Sequence, residues 1–163
     1  MRRHEKEVAD PGAILDVLAR GEVLHLAVIA EDGAPYVVPL SYAAVPPAKR
    51  EPLRILLHSA PDGRKIAALR RDPRVSFEVT VDVALVRAGK ACDFGVRFRS
   101  VVGSGRARFV EDPAEKSRAL SLLAARYGAA PAAVSEADAR KVTVIEIRVA
   151  EACCKVSPAP TRS

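Results

Sequence analysis

The sequence predicts an antiparallel β-barrel with helices at its edges, and three observations carry that prediction. Six apolar or alternating runs have the length and β-branched content of strands. The first two meet across Glu31-Asp32-Gly33, and Asp-Gly between such runs is a hairpin signal. The helical patterns between the runs are short, which does not suit a parallel βαβ sheet. At 163 residues the chain reads as one domain, 1–163, with flexible ends expected over 1–7 and 156–163.

Taken in order, PGAILDVLAR (11–20) reads as a helix with Asp10 as N-cap and Pro11 at the first helical position. Ile14, Leu15 and Leu18 give it an apolar face. EVLHLAVIA and PYVVPLSYAA form the hairpin, and the proline-rich VPPAKREP breaks structure after it. LRILLHS is the third strand, and residues 62–71 are helical until Asp72-Pro73 stops them. RVSFEVTV is the fourth strand, VRAGKACDFG an irregular crossing, and FRSVVGSGRARFV a long strand bent or bulged at Gly103 and Gly105. Asp112-Pro113-Ala114-Glu115 starts a helix that should run to Tyr127 and end at Gly128. A weaker helical pattern covers 131–140, and VTVIEIRVAEA closes the chain as a strand of strict alternation.

Composition narrows the function. A net charge of +6 and a pI near 9.5 invite nucleic acid. The basic residues are dispersed, however, and a chain with 4% aromatic residues and no tryptophan offers little for base stacking. A phosphorylated small molecule needs only a few cations and suits this pattern better. Cys92, Cys153 and Cys154 have neither disulfide-framework nor metal-ligand spacing, and three scattered histidines add no zinc ligand set, so no metal is expected. No run reaches the roughly 18 apolar residues of a membrane span, and no signal peptide precedes the first helix. The expectation is a soluble cytoplasmic protein.

The stretch HSAPDGRK places His58 and Ser59 at a strand end and Arg64 and Lys65 in the first turn of a helix. A helix start carries partial positive charge, so cations are disfavoured there. Either Asp62 caps a helix with two solvated cations, or helix N–H groups, both cations and the Ser59 hydroxyl converge on a phosphate. Only the second reading explains the placement. His58 is either a core histidine satisfied by a backbone carbonyl or a contact to that ligand. Pro39 within a strand marks an edge, a bulge or a close approach of ligand to backbone. Arg97 and Arg99 alternate on one face, as solvated arginines commonly do.

GAPYVVPLSY, LHSAPDGRK, RRDPRVSFEV, ACDFGVRFRSVVGSGRARFVEDP and TVIEIRV follow one another along nearly the whole chain. Together they resemble the FMN-binding split-barrel proteins related to pyridoxamine 5'-phosphate oxidase, and most closely the Nim-type, 5-nitroimidazole-resistance subgroup. The resemblance implies a six-stranded split barrel that forms a homodimer with FMN in the groove between subunits. It makes Arg64 and Lys65 the phosphate ligands, helped by Ser59 and His58. It lays the backbone of Val38, Pro39, Leu40 and Ser41 against the flavin ring and brings Arg99 and Ser100, of either subunit, toward the cofactor. The implied activity passes electrons from a reduced nicotinamide, NAD(P)H, to a small acceptor such as a nitro compound, with His58 as the candidate catalytic residue. The chain lacks the C-terminal region and tryptophan with which true pyridoxamine phosphate oxidases bind substrate, so vitamin B6 oxidation is not expected. Phe94 stands where Nim-type relatives often carry tryptophan. The alternatives are a non-catalytic protein holding flavin or haem, with His58 or His25 as axial ligand, and an enzyme using a deazaflavin in place of FMN.

Overall fold

The computed structural model describes residues 7–8, 10–49, 51–87, 89–90, 94–129 and 134–157. After a two-residue strand β1 (Glu7–Val8), helix α1 (Pro11–Arg20) begins where its capping residues place it. Asp10 accepts a hydrogen bond from the Gly12 N–H at 3.0 Å, and Pro11, which has no N–H to satisfy, fills the first turn. Strands β2 (Leu24–Ile29) and β3 (Pro35–Leu40) form the expected hairpin, with Leu24 opposite Leu40 and Ile29 opposite Pro35. Gly33 takes the turn position at φ 82°, a left-handed conformation that costs glycine nothing.

The remaining elements are β4 (Tyr42–Val45), β5 (Arg54–Ser59), α2 (Arg64–Arg71), β6 (Arg74–Val86), β7 (Gly95–Val110), α3 (Pro113–Arg126), α4 (Glu136–Ala139) and β8 (Thr143–Ser157). All strand pairs are antiparallel. One sheet runs β3-β2-β6-β7-β8-β5-β4, with β1 paired to β8 off this path. The fold is therefore mainly β with peripheral helices, as expected, but among the described residues it has eight strands rather than six.

Two causes account for the difference. The run PYVVPLSYAA changes partner at Ser41: Leu40 pairs with Leu24 of β2, whereas Tyr42 pairs with Leu57 of β5. One expected strand is thus two, at opposite ends of the sheet path. Glu7 and Val8 add the eighth by pairing with Lys155 and Cys154. Glu7, within the first stretch expected to be flexible, and Val156 and Ser157, within the second, are strand residues. β7 is long enough to offer ladder partners as far as Phe98 opposite Ser157, so β8 continues past the point where alternation stops being legible.

Local signals held in the helices. Asp112 accepts from the Glu115 N–H at 2.7 Å, and the α3 chain turns at Gly128 with φ 85°. The weak pattern at 131–140 is a four-residue helix, α4, capped by Ser135; residues 131–133, like Cys92, lie outside the described part. The bend expected near Gly103 and Gly105 is a register shift between Ser104 and Gly105 against β8.

Alternating residues of six strands, among them Leu26, Ile55, Phe77, Val101, Ile145 and Ile147, fill the interior together with Val17 and Leu18 of α1 and Ile66 and Leu69 of α2. A second, smaller cluster packs Ala119 and Leu123 of α3 on Leu56, Val110 and Val144. Beside that cluster, Glu146 is only 1% exposed. Its carboxylate accepts from Arg54 at 3.0 Å and from Arg108 at 2.8 Å, and Arg108 also binds Glu115 of α3. Burial alone would raise the Glu146 pKa, but Arg108 and Arg54 outweigh it and hold the group below its ordinary value.

A folded-state pKa below the unfolded one means stabilisation that is present above the ordinary glutamate range and lost as pH falls through the folded value. Glu146→Leu should leave Arg54 without a carboxylate and Arg108 with Glu115 alone, and cost about 1–3 kcal/mol in urea denaturation at pH 7, less than a fully buried pair because both guanidiniums are partly exposed. A Glu146→Gln protein should show a flatter fall of Tm between neutral and acid pH than the parent.

Candidate functional site

The start of α2 is built for an anion by what it lacks. Asp62, the expected cap, does not cap the helix. Gly63 occupies that position at φ 120° and ψ 171°, no side chain accepts from the first turn, and the first turn contains no acid. Glycine is the residue that tolerates this φ. The leading N–H groups of α2 are therefore without a side-chain acceptor, and the positive end of the helix dipole is uncompensated.

Arg64 and Lys65 sit on that end in different ways. The Arg64 guanidinium lies over the Tyr36 ring of β3, 4.6 Å from its centroid, with Asp32 at 3.6 Å. Stacking of this kind orients the planar fork while leaving its edge available to an oxyanion. Lys65 is half-buried. Burial, with no acid opposing it, pushes its ammonium pKa below the usual lysine value. A half-buried cation without a paired acid is unfavourable in the free protein, and this is the observation that most favours a bound anion.

β3 runs from this point toward Ser41. It pairs with β2 alone among the described residues, so one edge of Val38, Pro39 and Leu40 is unladdered. Of the three readings of Pro39, the edge strand is the one observed. Next to Ser41, the Tyr42 N–H donates to the Tyr127 hydroxyl at 2.9 Å, and that hydroxyl donates to the Glu22 carbonyl at 2.6 Å. Ser41 and His58 line a largely apolar cavity of about 500 Å³ under Leu120, Leu123 and Tyr127 of the α3 segment. The side chain of His58 is exposed, so it is not a core histidine. Ser59, half-buried, stands opposite Thr143.

These contacts group the expected residues into one region. Tyr36 ties α2 to β3, and the cavity ties the far end of β3 to the end of β5. Arg99 and Ser100 stand elsewhere. Ser59 faces the first residue of β8, Thr143, and Ser100 faces Lys155, twelve positions further along that strand. Arg99 is engaged within its own chain, 2.8 Å from Asp16 of α1 and 3.8 Å from Asp82 of β6, which also binds Arg20. Ser100 is buried. His25 is exposed on β2, with Nδ1 3.2 Å from Glu78.

The sequence reading missed Tyr36, Gly63 and Tyr127. Gly63 had a signal, since glycine just before a helix can displace the preceding aspartate from the cap. Tyr36 and Tyr127 act across the fold and had none.

An edge strand, a helix start bearing two cations and a bent antiparallel sheet define a split-barrel fold. The family model described as "Pyridoxamine 5'-phosphate oxidase" matches residues 10–156, and the chain belongs to that family. A candidate 5-nitroimidazole antibiotic resistance protein of Bacteroides thetaiotaomicron is 26% identical, with a TM-score of 0.77 over 92% of this chain and 86% of that one. The flavocytochrome Anf3 of Azotobacter vinelandii is 25% identical, with a TM-score of 0.80 over 100% of this chain and 74% of that one. The FAD and heme binding protein of Mycobacterium smegmatis shares the fold at 17% identity, with a TM-score of 0.79 over 97% and 77%. No curated protein matches the chain. No helix among the described residues is long and apolar enough to cross a membrane.

A cation kept for a ligand should contribute nothing to the empty protein. Lys65→Met should therefore leave the Tm of the ligand-free protein unchanged or raise it, measured by differential scanning calorimetry. A clear loss of stability would mark Lys65 as structural.

Proposed function

We propose that this chain is a cytoplasmic FMN-dependent oxidoreductase that passes electrons from a reduced nicotinamide to a small acceptor, such as a nitro compound. The observation that carries the reading is the pair Arg64 and Lys65 at an uncapped helix start, one stacked on Tyr36 and the other half-buried without an acid. This donor set fits a phosphate monoester: an oriented fork, a point charge and leading helix N–H groups. FMN, when bound, supplies hydride and electron transfer that no side chain of this protein can perform.

The residues have separate tasks in this reading. Arg64 and Lys65 hold the phosphate, and Ser59 donates a hydroxyl to it. The unladdered edge of Val38, Pro39, Leu40 and Ser41 offers backbone groups to the polar rim of a flavin ring. The cavity beside Ser41 excludes water from an acceptor, and the His58 imidazole at its wall can deliver a proton to it. Arg99 is held by Asp16 and Asp82 of its own chain, and in this reading Arg99 and Ser100 serve the cofactor of a second copy, the working unit being a homodimer with the cofactor at its interface.

A second reading, a flavin- or haem-holding protein without turnover, is favoured by His58 at the wall of an apolar cavity and by the flavocytochrome among the relatives. The absorption spectrum of the purified protein separates flavin from haem, mass spectrometry of the released cofactor distinguishes FMN from a deazaflavin, and turnover with a reduced nicotinamide separates the enzyme from a flavin-holding protein. A flavin spectrum together with turnover supports the first reading. A Soret band lost in His58→Ala would replace it with the second. Lys65→Ala should weaken FMN binding by about ten- to a hundredfold, the equivalent of roughly 1.5–3 kcal/mol for a charge-assisted contact. Parental affinity in that variant would overturn the phosphate assignment.

A further inference from the structure

Four neighbouring strands carry an arginine at one level of the sheet. Arg54 of β5 faces Arg148 of β8, Arg148 faces Arg106 of β7, and Arg106 faces Arg74 of β6. Directly opposed residues project from the same side, about 4.8 Å apart from strand to strand. The neighbours Ile55, Ile147, Gly105 and Val75 are buried inward, so the arginines point outward.

Like charges directly opposed are destabilising, and the fold relieves only part of this row. Glu146 accepts from Arg54 at 3.0 Å and lies 3.5 Å from Arg148. Asp72 binds Arg74 through Nε at 3.0 Å and Nη2 at 2.6 Å. Arg106 has no ion pair among the described residues, although it stands between two other arginines.

Two positions along the same strands, Ser76 stands opposite Ser104. A step of two keeps both hydroxyls on the arginine face. Arg74, Arg106, Ser76 and Ser104 line one concave cavity of about 450 Å³ whose remaining wall includes Ile29 and Pro35. That volume lies within the range of small-molecule sites, roughly 300–1,000 Å³. The composition is one guanidinium without an ion pair among the described residues, a second bound along one edge by Asp72, two hydroxyls and an apolar floor.

We propose that this cavity binds a phosphorylated small molecule with an apolar body. The phosphate sits on the Arg106 guanidinium with the Arg74 Nη1, which Asp72 leaves free, beside it; Ser76 and Ser104 donate to its oxygens, and the apolar body covers Ile29 and Pro35. Both cations are arginines, the side chain whose fork matches an oxyanion two bonds at a time. A dianion also gives Arg106 a direct ion pair, which Asp72, acting on it only at a distance, does not. Ser104 now donates to Glu151 at 3.1 Å and must turn that proton to the ligand. The site shares no residue with the one at α2, and the inference does not rest on the FMN reading.

Phenyl phosphate is a suitable probe, titrated calorimetrically into the full chain carrying Lys65→Ala to weaken competition from α2. Binding is expected, phenol should not bind, and adding Arg106→Gln should weaken phenyl phosphate at least tenfold with Tm unchanged. Ser104→Ala is the second variant, expected to weaken binding severalfold, and it decides the matter if the arginine variant fails to fold. No binding at millimolar concentration, or binding indifferent to these variants, overturns the proposal. Tighter, steeply salt-dependent binding of duplex DNA lost with Arg106 also overturns it, in favour of a nucleic-acid surface.

Discussion

The fold turns on one covalent fact: the two ends of the sheet path are consecutive in the chain. β3 closes one end and β4 the other, and Ser41 alone lies between them. Successive Cα atoms are 3.8 Å apart, so Leu40 and Tyr42 can be separated by no more than about 7.6 Å. Seven strands at about 4.8 Å spacing cannot satisfy that limit while flat. The sheet must curl until its edges nearly meet. The long strands bend to permit it, with register shifts between Val81 and Ala84 and between Ser104 and Gly105. Two glycines are needed where they curl. A Cβ on Gly103 would stand 2.4 Å from the Phe77 ring, and one on Gly105 would stand 2.3 Å from the Arg148 carbonyl.

The same constraint makes the site. A closed barrel would have laddered β3 on both sides; the seam leaves one edge without ladder partners. Both helical neighbours are tied to the seam by tyrosines. The Tyr42 hydroxyl donates to the Leu18 carbonyl of α1 at 2.7 Å, and Tyr127, just past α3, accepts from Tyr42 and donates to Glu22. Burial pushes the Tyr42 pKa up to about 12, in keeping with a hydroxyl held neutral against a backbone carbonyl. α2 buries Ile66, Ala68 and Leu69 in the core and so presents its first turn beside β3. The site is the place where a nearly closed sheet stops.

Much of this was legible locally, because its causes are local. Asp10-Pro11 and Asp112-Pro113-Ala114-Glu115 start helices through contacts within four residues, and Asp32-Gly33 closes a hairpin in the same way. Partner choice was not legible. Nothing in PYVVPLSYAA says that its second half pairs with β5, since that follows from closure of the whole sheet. Glu146 sits at an outward position in a strictly alternating strand, and only the docking of α3 converts an exposed carboxylate into a buried one. Arg99 was open to reading as a solvated or cofactor-facing cation because Asp16 and Asp82 meet it only in three dimensions. Arg64 and Lys65 were legible as an anomaly: they violate a local electrostatic rule, and such violations can be seen without knowing the fold.

That contrast gives a way to sort the basic residues of a chain with net charge +6. Arg20, Arg54, Arg74, Arg99 and Arg108 each find a carboxylate, four of them on another element of the fold and Arg74 on the adjoining Asp72. Their charges hold neighbouring segments together, and their ion pairs account for their presence. Lys65 and Arg106 differ. One is half-buried with no acid acting on it, and the other stands between two like charges with no ion pair among the described residues. Neither placement favours the folded chain by itself, since an uncompensated cation raises its energy. Surface exposure does not unite these two residues, and neither does sequence context. What they share is a charge with no carboxylate paired to it among the described residues, beside groups able to donate hydrogen bonds to an anion.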